Sequence, residues 1–203
     1  MTPAATATAD EAVLGDRFRL RLLDGLATSI AERGYRASTV ADIVRNARTS
    51  KRTFYGEFAS KEECFLELLG SDIEKLGESI AAAVEPEADW HQQIRQAVEA
   101  YVSHIESRPA ITLSWIRELP SLGAAARPVQ RRGLQLLSSL LIDLSASPGF
   151  RRAQLPPLTA PLAVILLGGL RELTALAVED GKPVRGIVEP AVDASIALLG
   201  PRH

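Results

Sequence analysis

Cysteine is almost missing from these 203 residues: Cys64 stands alone, so no disulfide can form within the chain. That fits a reducing cytoplasm, the expected location. With Phe65 and Leu66 as neighbours, Cys64 reads as a core filler rather than a redox sensor. Histidine is scarce as well. His91, His104 and His203 show no metal-ligand spacing with acids or with Cys64, so no metal site is expected. No glycine-rich phosphate loop occurs, and spacing assembles no Ser/His/Asp or Cys/His set. An enzyme and a resident cofactor are therefore disfavoured. Strict polar/apolar alternation and tandem repeats are also lacking, which argues against strands and solenoids. Residues 2–9 lack the basic start and apolar centre of a signal peptide, and a disordered tail is expected over residues 1–13. The most apolar stretch, residues 155–170, is uncharged but holds three prolines and ends at Arg171-Glu172. It is shorter than the ~18 residues that suggest a membrane span. It reads as buried protein, with no membrane association.

What is present is helical periodicity. Leu14, Phe18, Leu22, Leu26 and Ile30 recur every fourth residue as one stripe of a helix, stopped by Gly34. Ser38 or Thr39 can cap a second helix with Val40, Ile43, Val44 and Ala47 on its apolar face. Thr49 or Ser50 can cap a third, anchored by Phe54 and Phe58. Ser60 and Glu63 form a capping box that opens a fourth helix, running to about Val84. Further helices are expected over 94–105, 111–119, 129–144, 161–178 and 187–199. The fold class is all-α, with about nine helices.

Net charge is only -2, yet Arg33, Arg36, Arg45, Arg48, Lys51 and Arg52 lie within a stretch whose one acid is Asp42. Such a patch is either a solvated surface run or a footprint for phosphates. The segment Ser50-Lys51-Arg52-Thr53 puts hydroxyls and cations at a helix start with no acid beside them. A helix start of this kind can enter a major groove and reach phosphates and base edges.

Gly34, Ser38-Thr39-Val40, Ile43, Ser50-Lys51, Phe54-Tyr55, Phe58 and Ser60-Lys61-Glu62 closely resemble the N-terminal domain of TetR-type transcriptional regulators, over roughly residues 14 to 75. The resemblance implies a DNA-binding domain over 14–60, with its helix-turn-helix at 39–58. A helical ligand-binding and dimerisation domain would fill 61–203. It implies that Thr39, Tyr55 and Lys61 contact the DNA backbone. Ser50 would cap the reading helix and Lys51 contact phosphate or base, while Arg52 and Thr53 read bases. Three positions depart from the family pattern. Arg48 stands where glycine is usual in the turn and can add a phosphate contact. Glu57 is an acid where a neutral or basic residue is common, and is expected to turn away or pair with Arg52 or Lys61. Cys64 replaces leucine.

For the second domain only apolar content guides the choice. Candidate effector residues are Tyr101, Leu113, Trp115, Ile116, Leu137 and Leu141. Trp115 either lines a cavity or fills a core, and Trp90 packs at a helix start. Gly168-Gly169, inside a helix, calls for close approach of another helix or room for a ligand. The implied partners are a palindromic double-stranded operator, a small apolar or aromatic effector, and a second copy docked through residues 161–178 and 187–199. The implied function is a repressor released from DNA by its effector, with the long fourth helix as lever. A helical small-molecule-binding protein that never touches DNA is the rival reading, and an all-α enzyme is the weaker one.

Overall fold

The computed structural model describes residues 4–201, with side chains from Arg17 onward. His203 lies outside the described residues, as do the side chains of residues 1–16, which include the tail expected over 1–13. The backbone is helical from Ala4. The described residues form ten α-helices and no strand: α1 (Ala4–Ala37), α2 (Val40–Asn46), α3 (Lys51–Glu57), α4 (Lys61–Ala83), α5 (Trp90–Ser107), α6 (Pro109–Leu113), α7 (Arg127–Ser145), α8 (Pro148–Arg152), α9 (Ala160–Glu179) and α10 (Val188–Leu199). The tenth is α8, where the sequence reading places only a break. Pro148 occupies its first position, where a missing N–H costs nothing.

The helix expected over 111–119 is not one regular α-helix, and Pro120 lies within a helical turn that follows it. The chain passes from α6 through a π turn, Ser114–Glu118, into a 3-10 helix, Leu119–Ala125. The N–H of Leu119 bonds the carbonyl of Ser114, five residues back. Such wider turns are rare and occur mostly as single turns within helical segments. Pro190 falls in the first turn of α10, which a 3-10 turn at Val184–Ile187 precedes.

The chain divides into two compact units, Met1–Leu69 and Gly70–His203. The division lies inside α4, later than the boundary at 60/61 read from sequence. The reason is the first unit's core. Cys64, Phe65, Leu68 and Leu69 of α4 are buried there, and Phe65 stacks on Tyr35 with ring centroids 3.7 Å apart. Leu22, Leu26, Ile43 and Phe54 are fully buried and Ile30 and Phe58 nearly so, as their periodicity requires. Each such side chain contributes about 1.5–3 kcal/mol by leaving water. Gly25 lets α1 press onto α2: a Cβ there would lie 2.6 Å from the carbonyl oxygen of Ile43.

In the second unit Trp90, Ile94, Val98, Val102 and Ile105 of α5 pack with Phe150, Ala191 and Val192. Trp90 is buried at the first position of α5, in keeping with a packing role. Leu76, Ile80 and Val84 form a smaller cluster with Leu137, Leu140 and Leu144 of α7.

Candidate nucleic-acid interface and internal cavity

In the first unit, α2 and α3 form the helix-turn-helix. Thr39 caps α2 in a complete capping box. Its hydroxyl accepts from the N–H of Asp42 and donates to the Asp42 carboxylate at 2.6 Å, while its own N–H donates to the same oxygen at 3.0 Å. Both Thr39 donors are thus engaged, so a phosphate contact requires the hydroxyl to leave Asp42. The Asp42 carboxyl is pulled down to about 2, first by the Thr39 hydroxyl and then by Arg45 at 2.7 Å. Arg33 lies at 3.4 Å from it. Two of the six cations in the basic stretch therefore surround its one acid.

The turn resolves the Arg48 departure. Arg48 takes a left-handed backbone with φ 50, the conformation glycine usually supplies. The N–H of Thr49 bonds the carbonyl of Val44 at 2.9 Å and that of Arg48 bonds Arg45 at 3.1 Å, the two bonds of a Schellman stop. Arg21 of α1 reaches across to the carbonyl oxygens of Ala47 and Arg48.

Ser50 then caps α3, its hydroxyl accepting from the N–H of Thr53 at 3.1 Å and lying 3.0 Å from the Thr53 hydroxyl. Phe54 and Phe58 hold the helix to the core and leave the opposite side to solvent. Lys51 and Arg52 are exposed, and Tyr55 is 59% exposed with its ring edge-on to Phe54. Among the described residues Arg48, Lys51 and Arg52 make no side-chain ion pair. Lys61 is differently placed. Its ammonium donates to the carbonyls of Tyr35 (3.1 Å) and Ser38 (2.9 Å) and lies 4.3 Å above the Tyr35 ring. Two of its three protons are already used within the unit. Glu57 pairs with neither Arg52 nor Lys61. Its partner is Arg19, 3.6 Å away, which also donates to the Glu57 carbonyl at 2.9 Å, pairs with Glu67 and stacks on Phe58. Cys64 is fully buried, and burial pushes its thiol up to about 12, which suits a core filler.

The second unit holds a cavity of about 380 Å³. Four of the six expected effector residues line it: Tyr101, Trp115, Ile116 and Leu137. Trp115 packs against Gly133, where a Cβ would lie 2.8 Å from the indole. Leu113 does not line it; its neighbour Thr112 in α6 does, since successive helix residues point about 100° apart. Leu141 instead lines an adjoining chamber of about 60 Å³, which shares Tyr101, Leu137 and Leu167 with the larger one. Sequence reading missed the polar wall. Asp72 is 3.2 Å from His104 Nε2 and 3.5 Å from Arg108. Arg171 and Gln130 also line the cavity. Burial raises the Tyr101 phenol to about 12, and its hydroxyl lies 2.8 Å from that of Thr174.

On α9, Gly168 and Gly169 have open space where a Cβ would sit, and Gly168 borders the larger cavity. Val164, Ile165 and Leu176 are exposed, so α9 is less buried than its composition suggested. By length and composition alone, α9 could also cross a bilayer. Among the described residues no cluster of acids, histidines and cysteine could hold a metal ion.

The family model for bacterial regulatory proteins of the tetR family matches residues 22–68, the segment that contains the capped helix-turn-helix. Over that N-terminal segment the chain is similar to tetR-family regulators. The HTH-type transcriptional activator FasR of Mycolicibacterium smegmatis is 33% identical over 91 residues, covering 45% of this chain and 42% of FasR. The match thus spans less than half the length of that relative. The uncharacterized HTH-type transcriptional regulator YhgD of Bacillus subtilis is 25% identical over 150 residues, 71% of this chain and 77% of YhgD. Among solved structures, the fatty acid degradation regulator FadR of Bacillus halodurans superposes with a TM-score of 0.71 at 21% identity, covering 91% of this chain and 96% of that one. FadR of Bacillus subtilis in complex with stearoyl-CoA gives 0.71 at 17% identity, covering 91% and 99%. At such identities the likeness establishes the fold. The basic turn and the start of α3 thus form the candidate interface, and the second unit carries the candidate effector site.

Proposed function

We propose that this chain is a ligand-responsive DNA-binding transcriptional regulator without enzymatic activity, working in the cytoplasm as a homodimer. The observation that carries the reading is the cation set of Arg48, Lys51 and Arg52. All three are exposed at the turn and the start of α3, and among the described residues none makes an ion pair. Unspent cations at a helix start are suited to phosphates and guanine edges. Ser50 holds the helix start, and Tyr55 offers a hydroxyl on the same exposed helix. Thr39 and Lys61 are engaged within the unit and would serve the interface chiefly by fixing α2 and α4.

A single seven-residue reading helix spans only a few base pairs. Two copies about 34–36 Å apart fit a palindromic operator. The proposed dimer surface is α9 with α10. Exposed Val164, Ile165 and Leu176, with open space over Gly168 and Gly169, favour close packing of a second helix. The effector site is the cavity bounded by Tyr101, Trp115, Ile116 and Leu137. That FadR of Bacillus subtilis is complexed with stearoyl-CoA supports an apolar effector for this fold. An effector that prefers the conformation with mis-spaced reading helices must weaken operator binding by the same factor that DNA weakens effector binding. The helix α4, which holds residues of both units, is the proposed lever.

The direction of control is proposed as repression. FasR is named an activator, which gives activation a claim as the second reading. Fluorescence anisotropy with DNA from upstream of the coding sequence tests DNA binding. We expect salt-dependent binding, relieved by effector. No binding at low salt, with the cavity still taking ligand, would leave the non-DNA ligand-binding protein as the better account. A promoter fusion in a deletion strain sets the sign: expression rises for a repressor and falls for an activator.

A further inference from the structure

We propose that the two chambers of the second unit form one site for a single-chain amphiphile, with an anionic head at Arg171 and a hydrocarbon tail in the inner chamber. The inference rests on the reading of this cavity as the effector site and adds the ligand's class and orientation.

The inner chamber admits hydrocarbon and little else. Its polar side chains are already satisfied. Gln93 donates to the carbonyls of Pro86 (3.0 Å) and Ala88 (2.9 Å) and accepts from Ser147 at 2.8 Å. Ser145 donates to Ile142 at 2.7 Å and Ser195 to Ala191 at 2.6 Å. A polar ligand group placed there would lose water and gain no partner. At about 60 Å³ the chamber is small, and its lining is otherwise aliphatic and aromatic, Leu140, Leu141, Leu144, Phe150 and Leu166 among them.

The outer chamber is charged in a specific way. Asp72 has one carboxylate oxygen near His104 and the other near Arg108, so its charge is balanced in place. Arg171 lines the same chamber at an exposed position and makes no ion pair among the described residues. The unspent charge is therefore positive, and a guanidinium pairs best with a carboxylate or phosphate. Gln130 and Thr112 add neutral hydrogen-bonding groups. Tyr101, Leu137 and Leu167 line both chambers and so stand where the two adjoin, with the Tyr101 hydroxyl 2.8 Å from that of Thr174.

Calorimetric titration of the full chain with straight-chain carboxylates from hexanoate to stearate, the matching alkanols and the CoA thioesters tests this. Affinity should rise by about fourfold per methylene until the inner chamber is full, then fall. Carboxylates should bind more tightly than alkanols. Arg171→Gln should remove that advantage, about tenfold or more, while leaving alkanol affinity and the optimal length unchanged. Leu141→Phe should move the optimum to shorter chains. If that variant does not fold, Ala97→Leu fills the same chamber from α5 with the same expectation. Preference for the thioester or for the free acid would identify the source of the head group, and either result supports the site. A flat response to chain length, equal losses for alkanol and carboxylate in Arg171→Gln, or an unmoved optimum in both filled variants would overturn it. Graded binding that never alters operator affinity would count against the regulator reading alone. Operator release by ligands that show no chain-length dependence would count against the amphiphile alone.

Discussion

The guanidinium of Arg21 donates to the carbonyl oxygen of Arg48 at 2.9 Å, so a cation of α1 holds the turn whose own side chain is a cation. Arg48 pays for its left-handed backbone at φ 50 with local strain of about 1–2 kcal/mol. Replacing it with glycine separates the two roles of this residue. Arg48→Gly should raise stability by roughly 0.5–1 kcal/mol, the strain relieved less the added entropy of glycine in the unfolded chain. The same variant should bind operator more weakly with a shallower salt dependence, since one cation is lost. Thermal melts and anisotropy at several salt concentrations check the pair of effects. A variant that is both less stable and equally tight on DNA would refute the account of the turn.

Lys51 and Arg52 lie side by side at the start of α3 but are expected to fail differently. Lys51→Ala should weaken all sequences alike and reduce the salt slope by about one if the contact is to phosphate. Arg52→Ala should cost about 1–3 kcal/mol and relax the preference at one base pair if it reads guanine. Binding to an operator library at fixed salt distinguishes them. Unchanged affinity in both variants would mean that α3 is not the reading helix.

The order of helices was legible because periodicity and caps are local. Of the two caps open for each, Thr39 starts α2 and Ser50 starts α3. Gly34, expected to stop α1, breaks its helical backbone at φ 78 while the helix runs on to Ala37. The burial of Phe54 and Phe58 followed from spacing. Less visible were contacts made at long separation. Nothing near Asp72 indicates that His104 and Arg108, more than thirty positions later, share its two oxygens. Gly25 reads as an ordinary helix glycine until Ile43 is found against it. The expected partners of Glu57 were near in sequence, yet Arg19, 38 positions earlier, takes it because α1 passes beside the end of α3. In the cavity, apolar content found Trp115 and Ile116. It missed Arg171, because a cation in an apolar helix gives no sign of which way it faces.

Asp42 ties stability to acid pH. Its carboxyl titrates at about 2 in the folded chain against an ordinary value of 3.8, so it releases its proton more readily when folded. A depressed folded value contributes stability that is fully present above about pH 4 and is lost as pH falls through about 2. Asp42→Asn should therefore be less stable than the parent at neutral pH, with the difference shrinking between pH 4 and 2. Chemical denaturation of both proteins across that range provides the check. A constant difference would mean that the capping carboxylate contributes through shape alone.

Arg19 pairs with two acids near the end of α3, Glu57 at 3.6 Å and Glu67 by a paired contact. The Arg19 pKa is raised, first by its hydrogen bond to Glu67 and with help from the charge of Glu57. Removing Arg19 leaves Glu57 free to repel phosphates. It also takes a stacked guanidinium off Phe58, so two causes of weaker DNA binding become mixed in Arg19→Ala. A double-mutant cycle with Glu57→Gln separates them. If repulsion is the cause, Arg19→Ala should weaken operator binding most at low salt, and adding Glu57→Gln should restore much of the affinity without restoring the melting temperature. If lost packing is the cause, the double variant should bind as poorly as Arg19→Ala, and affinity should follow thermal stability across the set. Electrostatic repulsion is screened over about 10 Å at 0.1 M salt, whereas lost packing is not, so the salt dependence of Arg19→Ala gives a second and independent reading of the same question.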